Sequence, residues 1–288
     1  MINIIDAFSM DEKKEKDPSE IIMAAIYSLN THQFSDLMNS VSSEFRRHDH
    51  HLCSLLRSST RFPLTLLHLQ TISLHHKALL IARYLLSTLT HLTHFLETSP
   101  SSSSSLKLNL RDLDAALLLM LLCEVHQQAP QALQGSPAEW HIVLNDYVVR
   151  SRLLTLAGLG VSSSAVLTPY VDLTIKCRRF LDAVGCGDEM VREVAASVAA
   201  VVVLPSVEIG GCGGVECVIC REEIREGREM CGLPCEHLFH WMCVVPWLKK
   251  RNTCPCCRFQ LPTDDVFGEI QRLWGILITK NGMNSVKI

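Results

Sequence analysis

Apolar residues recur every three or four positions over most of the first two hundred residues, with Ser, Thr, His and Arg between them. That period belongs to an amphipathic helix, not to the alternation of a strand. Leu marks it from Phe34 to Leu56 and again from Leu64 to Leu96. Arg61-Phe62-Pro63 predicts the break between the two, because proline lacks the N–H that a helix interior uses. Asp17-Pro18-Ser19-Glu20 reads as a helix start: an N-cap carboxylate, proline at the first helical position and Glu at the third, followed by Ile21, Ile22, Ala25 and Ile26 at helical spacing. Further helices are predicted over 113–123, 140–156 and 189–203, the last stopped by Pro205. The expectation is a mainly α fold, with a helical N-terminal domain of about five to eight helices over residues 17–204. Residues 1–16 are charged and predicted disordered, and Pro100 with Ser101 to Ser105 predicts a flexible loop over 99–105.

The pattern changes after Leu204. Gly210-Gly211-Cys212-Gly213-Gly214 predicts a flexible linker over 205–215, on which the C-terminal part of the chain could swing relative to the helical domain. Leu261-Pro262-Thr263-Asp264-Asp265 predicts the start of a C-terminal helix within 261–288, with Val266, Ile270, Leu273 and Trp274 on one face through Ile278. Between these, residues 216–260 carry no sustained apolar period and are rich in Cys and His. Cys217, Cys220, Cys235, His237, His240, Cys243, Cys254 and Cys257 read as C-x2-C-x14-C-x-H-x2-H-x2-C-x10-C-x2-C. Zinc in a closed structural site takes four thiolate or imidazole ligands, and a C-x2-C pair supplies two at once. The eight residues therefore make two full sets, with no position left for a catalytic water. So short a segment has too little apolar area to fold unaided, and metal binding supplies about 10–16 kcal/mol per site in comparable fingers. Spacing alone leaves open which eight-ligand zinc module this is.

The order of residue types, three Cys, two His and three Cys, resembles the RING-H2 finger of ubiquitin ligases. The resemblance covers about residues 215–262 and implies a small ββα finger with interleaved, cross-braced sites. Carried over, Cys217, Cys220, His240 and Cys243 hold the first zinc, and Cys235, His237, Cys254 and Cys257 the second. It also implies a protein with no nucleophile of its own. Such a finger docks a ubiquitin-charged conjugating enzyme (E2) on an apolar residue between the first Cys pair, a Trp on the central helix and a Pro in the last pair. These are Ile219, Trp247 and Pro255 here. The cation after the last ligand, which bridges E2 and ubiquitin in active members, is Arg258, whose planar fork of donors suits two partners' carbonyls. The central helix is expected within 240–250, with Pro246 near its start or at a kink, and Leu233-Pro234 as a strand leading into the second pair of ligands.

The rest of the composition bounds this reading. Thirteen Cys less the six thiol ligands leave an odd, scattered set, Cys53, Cys123, Cys177, Cys186, Cys212, Cys231 and Cys256, which is no disulfide framework and argues for a reducing compartment such as the cytosol. The pattern excludes Cys231 and Cys256 as ligands. The longest apolar runs, 115–123 and 198–204, fall well short of the about 20 residues a membrane helix needs, and the first residues carry neither a secretory apolar stretch nor a transit-peptide composition. A net charge of −3 gives no support for nucleic acid as a partner. Nine of the thirteen His fall between residues 32 and 94, His48, His50 and His51 among them, and are expected on wet helix faces. The layout as a whole resembles the plant RING ligases of shoot gravitropism, associated with amyloplasts. That likeness implies ubiquitin transfer to a substrate lysine, on an unnamed substrate, with peripheral association at the cytosolic face of the plastid. The alternative in a different class is an inactive zinc-finger scaffold that only binds partners. Intact Ile219, Trp247, Pro255 and Arg258 favour the ligase.

Overall fold

The computed structural model describes residues 17–96, 108–137, 139–157, 164–185, 193–207, 216–223 and 230–283. The predicted disordered 1–16, the Ser run and the glycine run lie outside them. The fold is mainly α, and the chain divides into two compact units. The first holds residues 1–96, 106–188 and 276–288, the second residues 97–105 and 189–275.

The first unit is a bundle of helices α1 (Pro18–Tyr27), α2 (Thr31–Arg57), α3 (Arg61–Thr71), α4 (Leu74–Thr93), α5 (Leu110–Gln128), α6 (Trp140–Ala157) and α7 (Ser164–Ala183), with a 3-10 turn at Pro130–Leu133. Their starts follow the local chemistry. Asp17 caps α1 by accepting from the Ser19 N–H. Asn30 and Gln33 form a reciprocal capping box at α2. Ser73 and Asn109 accept from the third N–H of α4 and α5. Helix α5 is buried almost throughout, from Leu113 to Leu122, because a helix apolar on all sides can only sit inside. Around it, α4 packs on α5 and α7, and α2 on α5, α6 and α7.

Three local expectations are corrected here. The apolar run 64–96 is two helices, because Ser73 caps a new start. Pro63 lies in the first turn of α3, where no N–H donor is required, so the break falls at 58–60 instead. Helix α7, which the sequence pattern did not predict, runs through Pro169. The His-rich faces are not all wet. His48 is buried: its Nδ1 meets the Tyr84 hydroxyl at 3.1 Å and its Nε2 the Glu44 carboxylate at 2.9 Å. His91 reaches the same carboxylate at 3.9 Å and Ser40 at 3.2 Å. Burial opposes the charge on Glu44, but the hydrogen bond and charge of His48, with Arg47 and His91, hold its pKa at about 2.

The second unit is built on two small sheets and a helix. Strands β1 (Ser206–Val207), β4 (Met230–Gly232) and β5 (Leu238–His240) form an antiparallel sheet in the order β1-β4-β5, and β2 (Glu216–Cys217) pairs with β3 (Glu222–Glu223). The register Met230↔His240 and Cys231↔Phe239 leads straight into α9 (Trp241–Leu248), completing a ββα unit. Its core is Leu204, Met230, Cys231, Leu233, Phe239, Val244, Leu248 and Leu261 with Cys217 and Cys254. The strand at 230–232 ends before Leu233-Pro234, which sit in the turn closed by Leu233 N–H donating to the His237 carbonyl at 3.0 Å.

The helix expected over 189–203 shrinks to α8 (Val198–Val202). The preceding residues are extended because the finger claims their backbone. Asn252 N–H donates to the Val194 carbonyl at 2.7 Å, Ala196 N–H to Leu248 at 2.8 Å and Ser197 N–H to Pro262 at 2.8 Å. With β1 paired to β4 (Val207↔Met230), the glycine run joins two strands of one unit. Helix α10 (Val266–Met283) starts where Asp265 accepts from the Gly268 N–H at 2.7 Å, and Ile270 and Leu273 are buried. No helix among the described residues is long and apolar enough to cross a membrane.

Candidate metal centre and docking surface

Two groups of donors converge in the second unit. Cys217, Cys220, His240 and Cys243 bring their ligand atoms within 4.8 Å of one another, and so do Cys235, His237, Cys254 and Cys257. Each set draws on distant parts of the chain. Cys217 ends β2, Cys220 follows in its turn, His240 ends β5 and Cys243 lies in the first turn of α9. The second set pairs the β4–β5 turn, which carries Cys235 and His237, with the loop after α9, which carries Cys254 and Cys257. Because β5 and α9 run between the two sets, each set ties down segments that flank the other. Cys231 and Cys256 belong to neither.

The two Cys pairs are built alike. Arg221 N–H donates to the Cys217 carbonyl at 2.7 Å, and Arg258 N–H to the Cys254 carbonyl at 3.0 Å. Arg221 and Arg258 both have a φ of 61°, in the left-handed region that glycine ordinarily occupies. Glu236, between Cys235 and His237, has a φ of 66°. A left-handed residue after the pair turns the chain back so that both sulfurs face one point, at a cost of about 1–2 kcal/mol each. No glycine signals these turns in the sequence.

Each cluster holds three thiols and one imidazole whose Nδ1 faces sulfur. His240 Nδ1 lies 3.4 Å from Cys220 Sγ and 4.0 Å from Cys243 Sγ, and His237 Nδ1 lies 3.4 Å from Cys235 Sγ. Thiols this close do not ionise independently. Burial pushes Cys217 up, yet the N–H groups of His240, Cys220 and Ile219 outweigh it and hold its thiol below the ordinary value. Burial and the neighbouring thiols push Cys243 up to about 12, and burial does the same for Cys235. The N–H of Phe259 holds Cys257 low. Three soft thiolates and an imidazole suit a soft divalent cation, whose charge relieves their repulsion. Metal–sulfur bonds of about 2.3 Å in a tetrahedron put neighbouring ligands about 3.8 Å apart, in line with these spacings.

Beside the second cluster lies a groove of about 460 Å3 lined by Trp247, Pro255 and Arg258, together with Arg251 and Glu193. Trp247 is half-buried and fixed at both ends. Its Nε1 donates to the Thr253 carbonyl at 2.7 Å, and the Arg251 guanidinium stacks 5.0 Å from its ring centre while also pairing with Glu193. Pro255 is half-buried and Arg258 exposed. Ile219 packs partly against the finger core and is not among the residues lining this groove. Arg251 and Glu193 escaped the sequence reading, since only the fold brings them to Trp247. Pro246 sits inside α9, not at its start, and removes the N–H that would have met the Met242 carbonyl.

The Ring finger domain family matches residues 215–258. The amyloplastic E3 ubiquitin-protein ligase SGR9 of Arabidopsis thaliana is 42% identical over 282 residues, 94% of this chain and 99% of that protein. Shorter likenesses include the E3 ubiquitin-protein ligase RDUF1 of Arabidopsis thaliana, 46% identical over 74 residues (25% of this chain, 19% of that protein). The E3 ubiquitin-protein ligase RNF181 of Xenopus tropicalis is 54% identical over 50 residues (17% of this chain, 32% of that protein). The SGR9 likeness runs through the helical body as well as the finger, and on that extent this chain belongs to the family of SGR9-like RING-finger E3 ubiquitin-protein ligases.

Proposed function

We propose that the chain docks a ubiquitin-charged E2 on the finger and promotes transfer of ubiquitin to a substrate lysine, without forming a covalent intermediate of its own. Cys217, Cys220, His240 and Cys243 would hold one zinc ion and Cys235, His237, Cys254 and Cys257 the other. Zinc would lock the two Cys pairs in place and offer no open position for chemistry. The observation that carries the reading is the groove formed by Trp247, Pro255 and Arg258 beside the second cluster. Trp247 and Pro255, with Ile219 at the first Cys pair, give an apolar seat for the E2. Arg258 stands exposed on a turned backbone, aimed away from the core, where its fork of donors can bridge E2 and ubiquitin carbonyls and hold the thioester end still. Arg251, itself paired with Glu193, lies over the Trp247 ring in the same groove. The reading places the chain at the cytosolic face of amyloplasts with a part in gravitropism, and the amyloplastic relative supports the plastid association.

The test is discharge of ubiquitin from a charged E2 onto free lysine by the full chain. Wild type should discharge rapidly. Ile219→Ala and Arg258→Ala should each lose at least about tenfold in rate with two zinc ions retained by metal analysis. A zinc-loaded protein inactive with every E2 tried would instead be a scaffold, and full activity in Ile219→Ala would mean that the E2 sits elsewhere.

A further inference from the structure

In the helical body, three exposed leucines gather along one groove. Helix α3 turns Phe62, Leu66 and Leu69 into the core, yet its Leu64 and Leu67 are 66% and 56% exposed. Leu110, at the start of α5, is 64% exposed. Spaced i and i+3, Leu64 and Leu67 form a ridge along α3. A groove of about 670 Å3 follows one side of the ridge, lined by both leucines, Leu110, His50 and His51. A second groove, of about 550 Å3, follows the other side, sharing Leu67 and adding Phe62 and Pro63. A lone exposed leucine is ordinary, but an apolar ridge between two hollows is a shape that binds.

The charge around the ridge has one sign. Arg61 and Arg111 line the first groove and Arg57 the second. The one acid among the described lining residues is Asp114, buried and already paired with Arg61. A chain of net charge −3 thus presents a cationic rim around this apolar ridge.

We infer that these paired grooves are a docking site for an apolar, acidic segment of a partner protein. Apolar side chains of the segment fill the hollows on either side of Leu64 and Leu67, and its carboxylates meet the guanidinium groups of Arg57 and Arg111. Concavity selects a polypeptide over an anionic bilayer, whose flat surface would leave both hollows unfilled. The site lies in the helical body, so the inference stands whether or not the finger works as a ligase.

A display library of random peptides about a dozen residues long, panned on the full chain, tests it. Enriched peptides should combine Leu, Ile or Phe with Asp or Glu. One of them, synthesised with a fluorescent label, should lose at least about tenfold in affinity to Leu67→Ser and to Arg111→Glu, keep it with Arg111→Lys, and bind more weakly as salt is raised. Ubiquitin discharge should not change in these variants, which separates failure here from failure of the ligase reading. Leu64→Ser takes the place of Leu67→Ser if the latter lowers the melting temperature. No enrichment, enrichment of basic peptides, or selected peptides that bind all variants alike would overturn the inference. So would binding of phosphatidylserine vesicles that is lost in the same variants while no peptide binds.

Discussion

The two units of this chain are held together by different means. The body buries Leu, Ile and Ala along whole helices, so its stability is spread over many small contacts and no single residue decides it. The finger has strands of two or three residues and a core of few apolar side chains, and its eight donors gather in two sets where the proposed zinc ions would carry the load that area cannot. A spread-out core degrades by degrees, whereas a ligand set fails at one blow. The same division decides what chemistry each can show. The finger presents fixed side chains on turned backbone, and the body presents surface.

The largest expected effect breaks the finger alone. Chelation, or Cys254→Ser, should remove stabilisation of about 10–16 kcal/mol per site and unfold the finger, with zinc released and discharge abolished while most of the helical circular dichroism remains. Loss of the helical signal in step with the metal would mean that the body leans on the finger. The converse is Leu118→Ala in the buried α5, expected to cost about 2–5 kcal/mol in the thermal melt while zinc content stays at the wild-type value.

Acid sharpens the contrast inside the body. The Glu44 pKa is about 2 in the fold against 4.5 ordinarily, so its contribution is complete above the unfolded value and fades as pH falls toward 2. It is on the order of 2–3 kcal/mol. Glu44→Gln should melt below wild type at neutral pH, and the gap should close by about pH 2. A constant gap would assign the effect to packing. The smallest change is Arg251→Ala, where the loss of one stacked cation is worth about 0.5–1 kcal/mol. It should weaken E2 binding by no more than about fivefold with zinc intact, and Arg251→Lys should recover part of that. A loss as large as that of Ile219→Ala would make Arg251 itself a contact.

Legibility in the sequence divides along the same line. Ligand spacing is local chemistry, so all eight donors stood out, and helix starts were legible at Asp17 and Asp265, while the Ser73 cap that divides 64–96 stayed hidden inside a continuous apolar run. Features that depend on a distant partner were not legible. Ser206 and Val207 become a strand only because Met230 and Cys231 come to lie beside them, and 193–197 extend because Leu248, Asn252 and Pro262 take their hydrogen bonds. His48 looked wet because its Tyr84 partner is two helices away. Helix α7 was hidden by Pro169, and the left-handed turn at Arg258 by the absence of glycine.

The pairing of β1 with β4 changes what the glycine run is for. A tether between two bodies sets how far one can reach from the other. A segment whose two ends are stitched into the same small unit sets how much entropy is lost when that unit closes, and this cost grows only with the logarithm of its length, about 0.6 kcal/mol per doubling. Added glycines would therefore leave the span over which lysines are served as it was. Their toll would fall on the finger, as a slightly easier opening and a faster exchange of the zinc proposed for it.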